Sequence, residues 1–304
     1  MEHRYQKFWE KDSYRVIDCQ SCGFYHILPV PDQNTLTDYY QMVYHREVKP
    51  FPYHNVTSNY IDEMKNEVSK NKNYQEIYQK VIRFKETPGF KMLDIGCGNE
   101  LLGVYFKNNN WQVNIVEPSK DAGLYLEKFE LNVFNLPVEE LENTKIDGVS
   151  FVNMQFVLEH ILNPRDVLKE IFARMSQGGI IRINVPNDFS HGQLAYLEKY
   201  RRNPDWVYLP DHINYFNFDS LSRLLSEVGF REIYRTTNFP LEFLLAGGID
   251  YYASETERQK VGPFINHFEA TFTQTGRAEI LQQLYENLAQ QGMGRSIFMY
   301  AIKE

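Results

Sequence analysis

The sequence predicts an α/β fold in which a parallel sheet carries helices on both faces. Two observations predict it. Short apolar strands alternate with amphipathic helices from residue 91 onward, and a turn with two glycines follows the first of those strands. Such alternation is typical of parallel sheets, because the crossover helices cover both faces. Of the 304 residues, 43% are hydrophobic, which is enough to bury a large core.

The elements follow from the spacing of apolar residues along the chain. Residues 1–60 contain short strand-like runs between prolines, and residues 61–86 are expected to form one helix. We expect the pair Gly178-Gly179 to end a later helix and Asp219 to cap another. The strands of the sheet are expected at 91–95, 113–116, 132–134, 148–152, 180–185, 230–236 and 296–302.

Composition excludes several classes of protein. There are 32 basic and 40 acidic residues, a formal charge of −8, and no Lys/Arg run, which argues against a nucleic-acid or anionic-membrane binder. The charged, aromatic first residues do not resemble a signal peptide. No apolar stretch approaches the ~20 residues of a membrane span. Three cysteines exclude a disulfide scaffold, so a cytoplasmic protein is expected.

The most informative local pattern is the turn after the first strand of the sheet. Asp94-Ile95-Gly96-Cys97-Gly98 runs from a buried strand into a helix, and Glu117 ends the next strand. Glycines at such a turn let the backbone approach a ligand closely. The Glu117 carboxylate is suited to accept two hydrogen bonds from a ribose diol. Sheets that bind dinucleotides and sheets that bind S-adenosylmethionine share both features.

Two details separate these cofactors. The dinucleotide pattern G-x-G-x-x-G needs a third glycine, and Leu101 stands at that position. Asp94 precedes the turn by two residues, and its carboxylate would repel a pyrophosphate. An aminoacyl ligand with a cationic ammonium group fits this turn better.

Several motifs together resemble class I S-adenosylmethionine-dependent methyltransferases. They are the run LDIGCG, the acid Glu117, Leu158-Glu159-His160, Pro164, Leu168, Gly178-Gly179 and Pro186-Asn187. The resemblance is closest to the ubiquinone-type O-methyltransferase group and to an uncharacterised bacterial subgroup near it, over roughly residues 14–304. It implies a Rossmann-like, seven-stranded, mostly parallel sheet whose last strand is antiparallel.

The resemblance also implies which residues contact the cofactor. Gly96 and Gly98 would line its methionine end, with Asp94 reaching the ammonium group. Glu117 would hold the ribose hydroxyls, and residues near Val138 would contact adenine. The implied cofactor-binding set is Asp94, Gly96, Cys97, Gly98, Glu117, Pro118, Val138, Glu139, Asn153 and Met154. Alternatively, Cys97, Asn153 and Met154 only pack.

Methyl transfer is an in-line displacement, so the protein mainly positions the nucleophile and removes its proton. A histidine is a suitable base for a hydroxyl acceptor at neutral pH. His160, just past the fourth strand, and His212, in a later connection, are the two candidates. Their structural alternatives are a helix-start residue and a residue that holds its loop. The candidate substrate contacts are Asn187, Gln193 and Tyr215.

Cys19 and Cys22 form a C-x-x-C pair of the kind found in metal knuckles. Zinc needs four ligands, usually from two such pairs, and only His3 and His26 lie near this one in the sequence. His3 is also close to a terminus that is expected to fray. We therefore expect the knuckle to keep its shape without a metal ion.

About fifty residues separate the last two strands, where a short hairpin would suffice, and connections of that length are uncommon unless functional. We expect them to form a helical lid over an acceptor pocket, and a homodimer interface is the alternative. The predicted regions are an N-terminal cap 1–88, a cofactor-binding core 89–240, a helical lid insertion 241–292 and a last core strand 293–304.

The sequence thus predicts an S-adenosylmethionine-dependent methyltransferase that modifies a small-molecule acceptor, most readily at a hydroxyl oxygen. Two other functions stay open at this point. One is an NAD-dependent oxidoreductase, which Leu101 disfavours. The other is a non-catalytic protein that binds the cofactor.

Overall fold

The computed structural model describes residues 3–32, residue 36 and residues 56–304. They belong to two compact units. The first unit comprises Met1–Pro31, Asn184–Leu224 and Tyr234–Met299, and the second comprises Asp32–Ile183, Leu225–Ile233 and Tyr300–Glu304. Part of the predicted N-terminal cap, residues 1–2, 33–35 and 37–55, lies outside the described residues.

The described strands, in chain order, are β1 Tyr5–Lys11, β2 Tyr14–Cys19, β3 Phe24–Leu28, β4 Lys91–Ile95, β5 Gln112–Val116, β6 Asn132–Phe134, β7 Val149–Gln155, β8 Met175–Pro186, β9 Asn214–Tyr215, β10 Phe230–Thr236 and β11 Ser296–Lys303. The described α-helices are α1 Ser58–Lys70, α2 Lys72–Phe84, α3 Leu102–Asn108, α4 Lys120–Glu127, α5 Pro164–Arg174, α6 His191–Tyr200, α7 Phe218–Val228, α8 Leu241–Ala246, α9 Glu255–Thr273 and α10 Ala278–Gln290.

Seven strands form the main sheet, in the order β10-β11-β8-β7-β4-β5-β6. Strand β4 pairs in parallel with β5 on one side and β7 on the other, and β6 extends the sheet beyond β5 in parallel. The sheet is mostly parallel with one antiparallel end and has helices around it, so the predicted Rossmann-like fold is confirmed. Met92, Leu93 and Ile95 of β4 are at most 1% exposed, as expected for a strand covered on both faces.

The predicted helix over residues 61–86 is two helices in the structure. Asn71 separates them with φ −70° and ψ 107°, and its side chain accepts a hydrogen bond from the backbone N–H of Tyr74 as the N-cap of α2. Asparagine is among the best N-cap residues, so it starts a new helix here although the apolar spacing continues across it. Tyr74, Ile77 and Val81 form the buried face of α2.

The pair Gly178-Gly179 lies inside β8 and not at the end of a helix. Helix α5 already ends at Arg174, and Gly178 has φ +72°. A Cβ at Gly179 would lie 2.9 Å from the carbonyl oxygen of Ser176 and 3.0 Å from that of Val149. The two glycines therefore permit a close approach of backbone within the sheet, which apolar spacing alone does not predict.

A second, antiparallel sheet belongs to the first unit, with the order β1-β2-β3-β9. Val16, Ile17 and Ile27 are fully buried within it. Tyr25 of β3 stacks on Phe189 with ring centroids 4.3 Å apart, and Trp206 meets the same Phe189 ring at 5.7 Å. Much of the aromatic content of the chain is thus used in the core of this unit.

Residues 241–292 contain the three helices α8, α9 and α10. No residue of α9 is buried, whereas α10 buries Leu281, Tyr285 and Ala289. The Tyr285 hydroxyl donates a 2.8 Å hydrogen bond to Glu269 of α9 and joins the two helices. Within the described residues, no helix combines the length and hydrophobicity that crossing a membrane requires.

Candidate active site

The turn between β4 and α3 contains two glycines that have different structural roles. Gly96 has φ +64° and donates its N–H to the carbonyl of Val116 at 2.8 Å, and a Cβ there would lie 2.6 Å from Val157 Cγ2. Gly98 has φ +57°, yet a Cβ at this position would meet no atom within 4 Å. Gly96 is therefore required by packing, whereas Gly98 leaves space beside the turn.

Glu117 joins this turn to the end of β5. Its side chain is 3% exposed, and its two oxygens accept backbone hydrogen bonds from Gly98 at 2.8 Å and Ser119 at 2.9 Å. Burial raises the pKa of Glu117, and the two N–H donors act against that rise. Each carboxylate oxygen keeps a second lone pair. The group can therefore still accept two hydroxyl donors, as a ribose diol would provide.

Asp94 is the buried carboxylate at the centre of the site. Its Oδ1 accepts a 2.7 Å hydrogen bond from the Asn153 amide, while its Oδ2 has no partner among the described residues. Burial raises the pKa of Asp94 to about 7, and the Asn153 donor and the Arg182 charge lower it. Burying such an oxygen without a partner is costly, and a cationic ligand group would offset that cost.

Arg182 of β8 is a member of this site that the sequence analysis missed. The side chain is 2% exposed and donates to Asn153 Oδ1 at 2.6 Å and to Gln155 Oε1 at 3.2 Å. Asn153 thus links the Asp94 carboxylate to the Arg182 guanidinium. The signal in the sequence was the single charged residue in the predicted buried strand IIRINV, since buried charges are rare unless they are paired.

Tyr74 of α2 forms hydrogen bonds with the residues that follow the glycine turn. Its hydroxyl donates to Glu100 Oε2 at 2.8 Å and accepts from the Leu101 N–H at 3.2 Å. Burial, followed by the Glu100 charge, raises the pKa of Tyr74. A cavity of about 390 Å³, lined in part by Met64 and Asn99, lies between these first two helices and the turn. That volume is in the range of small-molecule sites.

The other predicted cofactor residues lie in the same unit. Cys97 is buried in the turn, and burial together with the carboxylates of Asp94 and Glu117 raises the pKa of its thiol. Met154 is fully buried in β7, beside the paired Ile95. Val138 is buried at the start of a short 3₁₀ turn. Pro118 and Glu139 are exposed.

His160 ends a 3₁₀ turn, Leu158–His160, that follows the carboxyl end of β7. The side chain of His160 is 15% exposed, whereas that of Glu159 is 2% exposed. His160 Nε2 lies 4.0 Å from Glu159 Oε1. The imidazole is thus partly exposed and lies beside a buried carboxyl group, and its catalytic role is a prediction.

The predicted acceptor contacts belong to the first unit, and their side chains form hydrogen bonds that stabilise loops and a helix start. The Asn187 amide donates to the carbonyls of Gly292 at 3.1 Å and Gly294 at 2.8 Å, and Gln193 forms a capping box with Ser190 at the start of α6. The Tyr215 hydroxyl donates to the Tyr208 carbonyl at 3.2 Å. Their predicted contacts with an acceptor stay predictions.

His212 lies between two tyrosine rings of the same unit, with centroid distances of 5.6 Å to Tyr208 and 6.2 Å to Tyr215. Its backbone N–H donates to the Tyr208 carbonyl at 3.2 Å. The loop-holding alternative for this region therefore has contacts that support it. A catalytic role of His212 is a prediction.

Residues 61–234, more than half of the chain, match a family model described as a methyltransferase domain. The chain belongs to this methyltransferase family. The matched segment includes the glycine turn, Glu117, Arg182 and His160, and the chain is an S-adenosylmethionine-dependent methyltransferase. The roles of these individual residues stay predictions. The finer resemblance to the ubiquinone-type group stays a prediction.

Solved structures have the same fold at low sequence identity. Magnesium protoporphyrin IX methyltransferase from Synechocystis, with bound S-adenosylhomocysteine, is 11% identical and superposes with a TM-score of 0.50, over 90% of this chain and 100% of that chain. An S-adenosylmethionine-dependent methyltransferase from Archaeoglobus fulgidus is 17% identical, with a TM-score of 0.45 over 88% and 100% of the two chains. No curated protein sequence matches the chain.

Proposed function

We propose that this methyltransferase transfers the methyl group to a hydroxyl oxygen of a small-molecule acceptor, with His160 as the general base. The observation that carries the proposal is the pair of His160 and Glu159, 4.0 Å apart at the carboxyl end of β7. In open α/β sheets, ligands bind at the carboxyl ends of the strands. The accessible imidazole is therefore on the edge where an acceptor is expected.

The cofactor contacts in this proposal use hydrogen-bond acceptor positions of the site that are still open. Asp94 Oδ2 receives the ammonium group of the methionine moiety, and Glu117 accepts the ribose hydroxyls. The open side of Gly98 leaves room for the ligand, with Cys97, Asn153 and Met154 packed beside it. Pro118, Val138 and Glu139 are proposed to contact the adenine. S-adenosylmethionine itself supplies an activated methyl group on a sulfonium leaving group.

A base is needed because a neutral hydroxyl is a poor nucleophile that must lose its proton as it attacks. A histidine is half protonated near neutral pH, so its neutral form can take that proton. The Glu159 side chain lies beside the imidazole, with Oε1 4.0 Å from His160 Nε2. A free amine needs no such base. The His160–Glu159 pair therefore supports an oxygen acceptor over a nitrogen acceptor.

On the acceptor side we propose a small molecule, and neither a nucleic acid nor a membrane. The net charge of −8 supports this choice, because an anionic polymer would be repelled on average. Asn187, Gln193, Tyr215 and His212 remain the proposed acceptor contacts, and the helices of residues 241–292 the proposed lid. A homodimer interface on those helices and a cytoplasmic location are also proposals.

The test measures transfer of a labelled methyl group from S-adenosylmethionine to a panel of phenols, catechols and sugars, with amines and thiols in parallel. We expect transfer to hydroxyl compounds. His160→Ala should lower turnover about 100-fold or more while cofactor affinity by calorimetry changes only a few-fold. The control is His267→Ala, since His267 is an exposed residue of α9.

Two results would contradict the proposal. Transfer to amines alone would exclude the oxygen acceptor. Near-full turnover of His160→Ala on the true acceptor would exclude this base, and the same loss in His212→Ala would assign the role to His212.

A further inference from the structure

Four side chains of the first unit come together at one end of the antiparallel sheet. They are His3, Cys19, Cys22 and His26, and one nitrogen or sulfur atom of each lies within 4.8 Å of the corresponding atom of every other. The family match begins at residue 61, so these residues lie outside the segment that it covers. Nothing described above assigns them a task.

Strand register brings them to one face. Cys19 ends β2 and is paired with Phe24 of β3 and with Tyr5 of β1. Side chains two residues apart on a strand share a face, so His26 lies on the face of Phe24 and therefore on that of Cys19. Cys22 returns to this face through the β2–β3 turn, where Gly23 adopts φ +83°.

The distances from His3 to the two sulfurs match the edges of a tetrahedral metal site. His3 Nδ1 lies 3.6 Å from Cys19 Sγ and 3.6 Å from Cys22 Sγ. Zinc–sulfur bonds of about 2.3 Å and zinc–nitrogen bonds of about 2.0–2.1 Å place ligand atoms roughly 3.5 Å apart along the edges of a tetrahedron. The Cys22 N–H also donates a hydrogen bond to Cys19 Sγ at 3.4 Å, which helps to fix the position of that sulfur.

His26 supplies an independent observation. Its side chain is 2% exposed, and its Nδ1–H donates to the carbonyl of Ile27 at 2.9 Å. That bond leaves the lone pair on Nε2, which is buried and has no hydrogen-bond partner among the described residues. The Nε2 lone pair is therefore available to a metal ion. A backbone carbonyl on the other ring nitrogen is the usual support of a metal-bound histidine.

We propose that His3, Cys19, Cys22 and His26 bind one Zn²⁺ ion in a structural site. Two thiolates and two imidazoles are a donor set that selects zinc, and they fill all four positions of its tetrahedron. No position is left for a reacting water, so the ion has no catalytic part. Its effect is to join the residues before β1 to the β2–β3 hairpin.

This proposal reverses the expectation from the sequence, which counted the C-x-x-C pair as two ligands without a second pair. The second pair exists as two histidines. His3 precedes β1 and His26 lies inside β3, so neither belongs to a recognisable spacing motif. The competing interpretation of the cysteine pair is a redox-active dithiol that forms a disulfide.

The experiment uses the full-length chain without a histidine tag. Elemental analysis of the purified protein should find about one zinc per chain. Cys19→Ser and His26→Ala should each lose most of it, while the control His267→Ala keeps it. Cys97→Ser, which removes the remaining cysteine of the sequence, should keep it as well.

A second measurement does not depend on the variants folding. Wild-type protein stripped by a chelator is titrated with Co²⁺, and we expect the intense visible bands of tetrahedral cobalt with thiolate ligands, displaced by Zn²⁺ at one equivalent. Octahedral cobalt spectra, or protein that binds no Zn²⁺ after reconstitution, would overturn the proposal. So would loss of two titratable thiols without reductant in freshly isolated protein, since a disulfide would then occupy the pair.

Discussion

Two candidate ligand sites occupy sequence stretches of similar length: the cofactor turn in the second unit and the four-ligand cluster in the first unit. They differ in which structural contacts bring their residues together. Asp94, Gly98 and Glu117 follow from a local rule, because neighbouring parallel strands bring their carboxyl ends to one edge. His3 and His26 join Cys19 only through antiparallel register. A one-residue slip in register would move His26 to the opposite face, whereas the glycine turn needs only its own strand.

The two sites share one property. Each contains a buried polar atom with no partner among the described residues, Oδ2 of Asp94 in one and Nε2 of His26 in the other. Burying such an atom costs about 1–3 kcal/mol, which ligand binding can offset. In both proposals such an atom is the position assigned to the ligand. The two ligands differ in chemistry, because a carboxylate suits an ammonium group and a neutral imidazole suits a metal.

Removal of zinc should give the largest effect and tests the cluster. A ligand at about 1,000 times its dissociation constant stabilises the folded state by about 4.1 kcal/mol. For a unit of this size, chelation should therefore lower the midpoint of thermal unfolding by roughly 10 °C. Differential scanning calorimetry with and without chelator measures it, and added Zn²⁺ should restore the midpoint. An unchanged midpoint would show that the cluster is not a structural site.

Glu117→Ala should give the next largest effect and tests the turn. The change removes the acceptor of the ribose hydroxyls, and hydrogen bonds to a charged group contribute roughly 1.5–3 kcal/mol each. We expect the affinity for S-adenosylhomocysteine to fall at least about tenfold, with the zinc content unchanged. Isothermal titration calorimetry measures it, and Glu127→Ala on the exposed face of α4 is the control. Equal affinities in the two variants would contradict the proposed ribose site.

The pH dependence of cofactor binding tests whether Asp94 Oδ2 binds a cationic group, in contrast to the metal proposed for His26 Nε2. Asp94 must be ionised to attract the ammonium group, and its pKa in the cofactor-free protein is about 7. Affinity should therefore increase as the pH rises from 5.5 to 7.5, by up to about tenfold per unit below the pKa. Asp94→Asn should bind more weakly and lose this dependence. Calorimetry across that range checks it, and a flat profile for the wild type would contradict the assignment.

The same carboxylate predicts a change in stability. Its pKa is raised in the folded state above the unfolded value of about 3.9, so the folded protein holds the extra proton between about pH 4 and 7. The contribution of Asp94 to stability is most favourable below pH 4 and is lost as the pH rises to 7. Asp94→Asn should therefore raise the free energy of unfolding of the cofactor-free protein at pH 8. Denaturant titration measures it, and a lower value would refute the argument.

Gly98→Ala should give the smallest effect and has a matched control. Gly98 and Gly276 have φ +57° and +73°, and a Cβ at either position meets no atom within 4 Å. Alanine at each should cost about 1 kcal/mol of stability through backbone strain alone. We expect cofactor affinity to fall only in Gly98→Ala, because its open side is the proposed ligand position. If affinity falls equally in Gly276→Ala, the effect at Gly98 is not specific.

The sequence was sufficient for features that depend on short stretches of chain. The alternation of strands and helices, the turn with Gly96 and Gly98, and the position of Glu117 are all set by apolar spacing and local backbone conformation. The seven-stranded sheet and the cofactor followed from these, through a resemblance that the family match supports. The helical character of residues 241–292 was also predictable, because the stripe that includes Leu281 and Tyr285 repeats at helical spacing.

Other features depended on contacts between distant residues, and only the tertiary structure decided them. Arg182 is linked to the Asp94 carboxylate through Asn153 because β8 and β4 both neighbour β7. The order of strands in a sheet cannot be predicted from the sequence of any single strand. Likewise, two histidines complete a set of four ligands because antiparallel pairing selects one face for His26 and Cys19. Spacing along the chain predicts which face a residue takes relative to its own neighbours. It does not predict which other strand that face will meet.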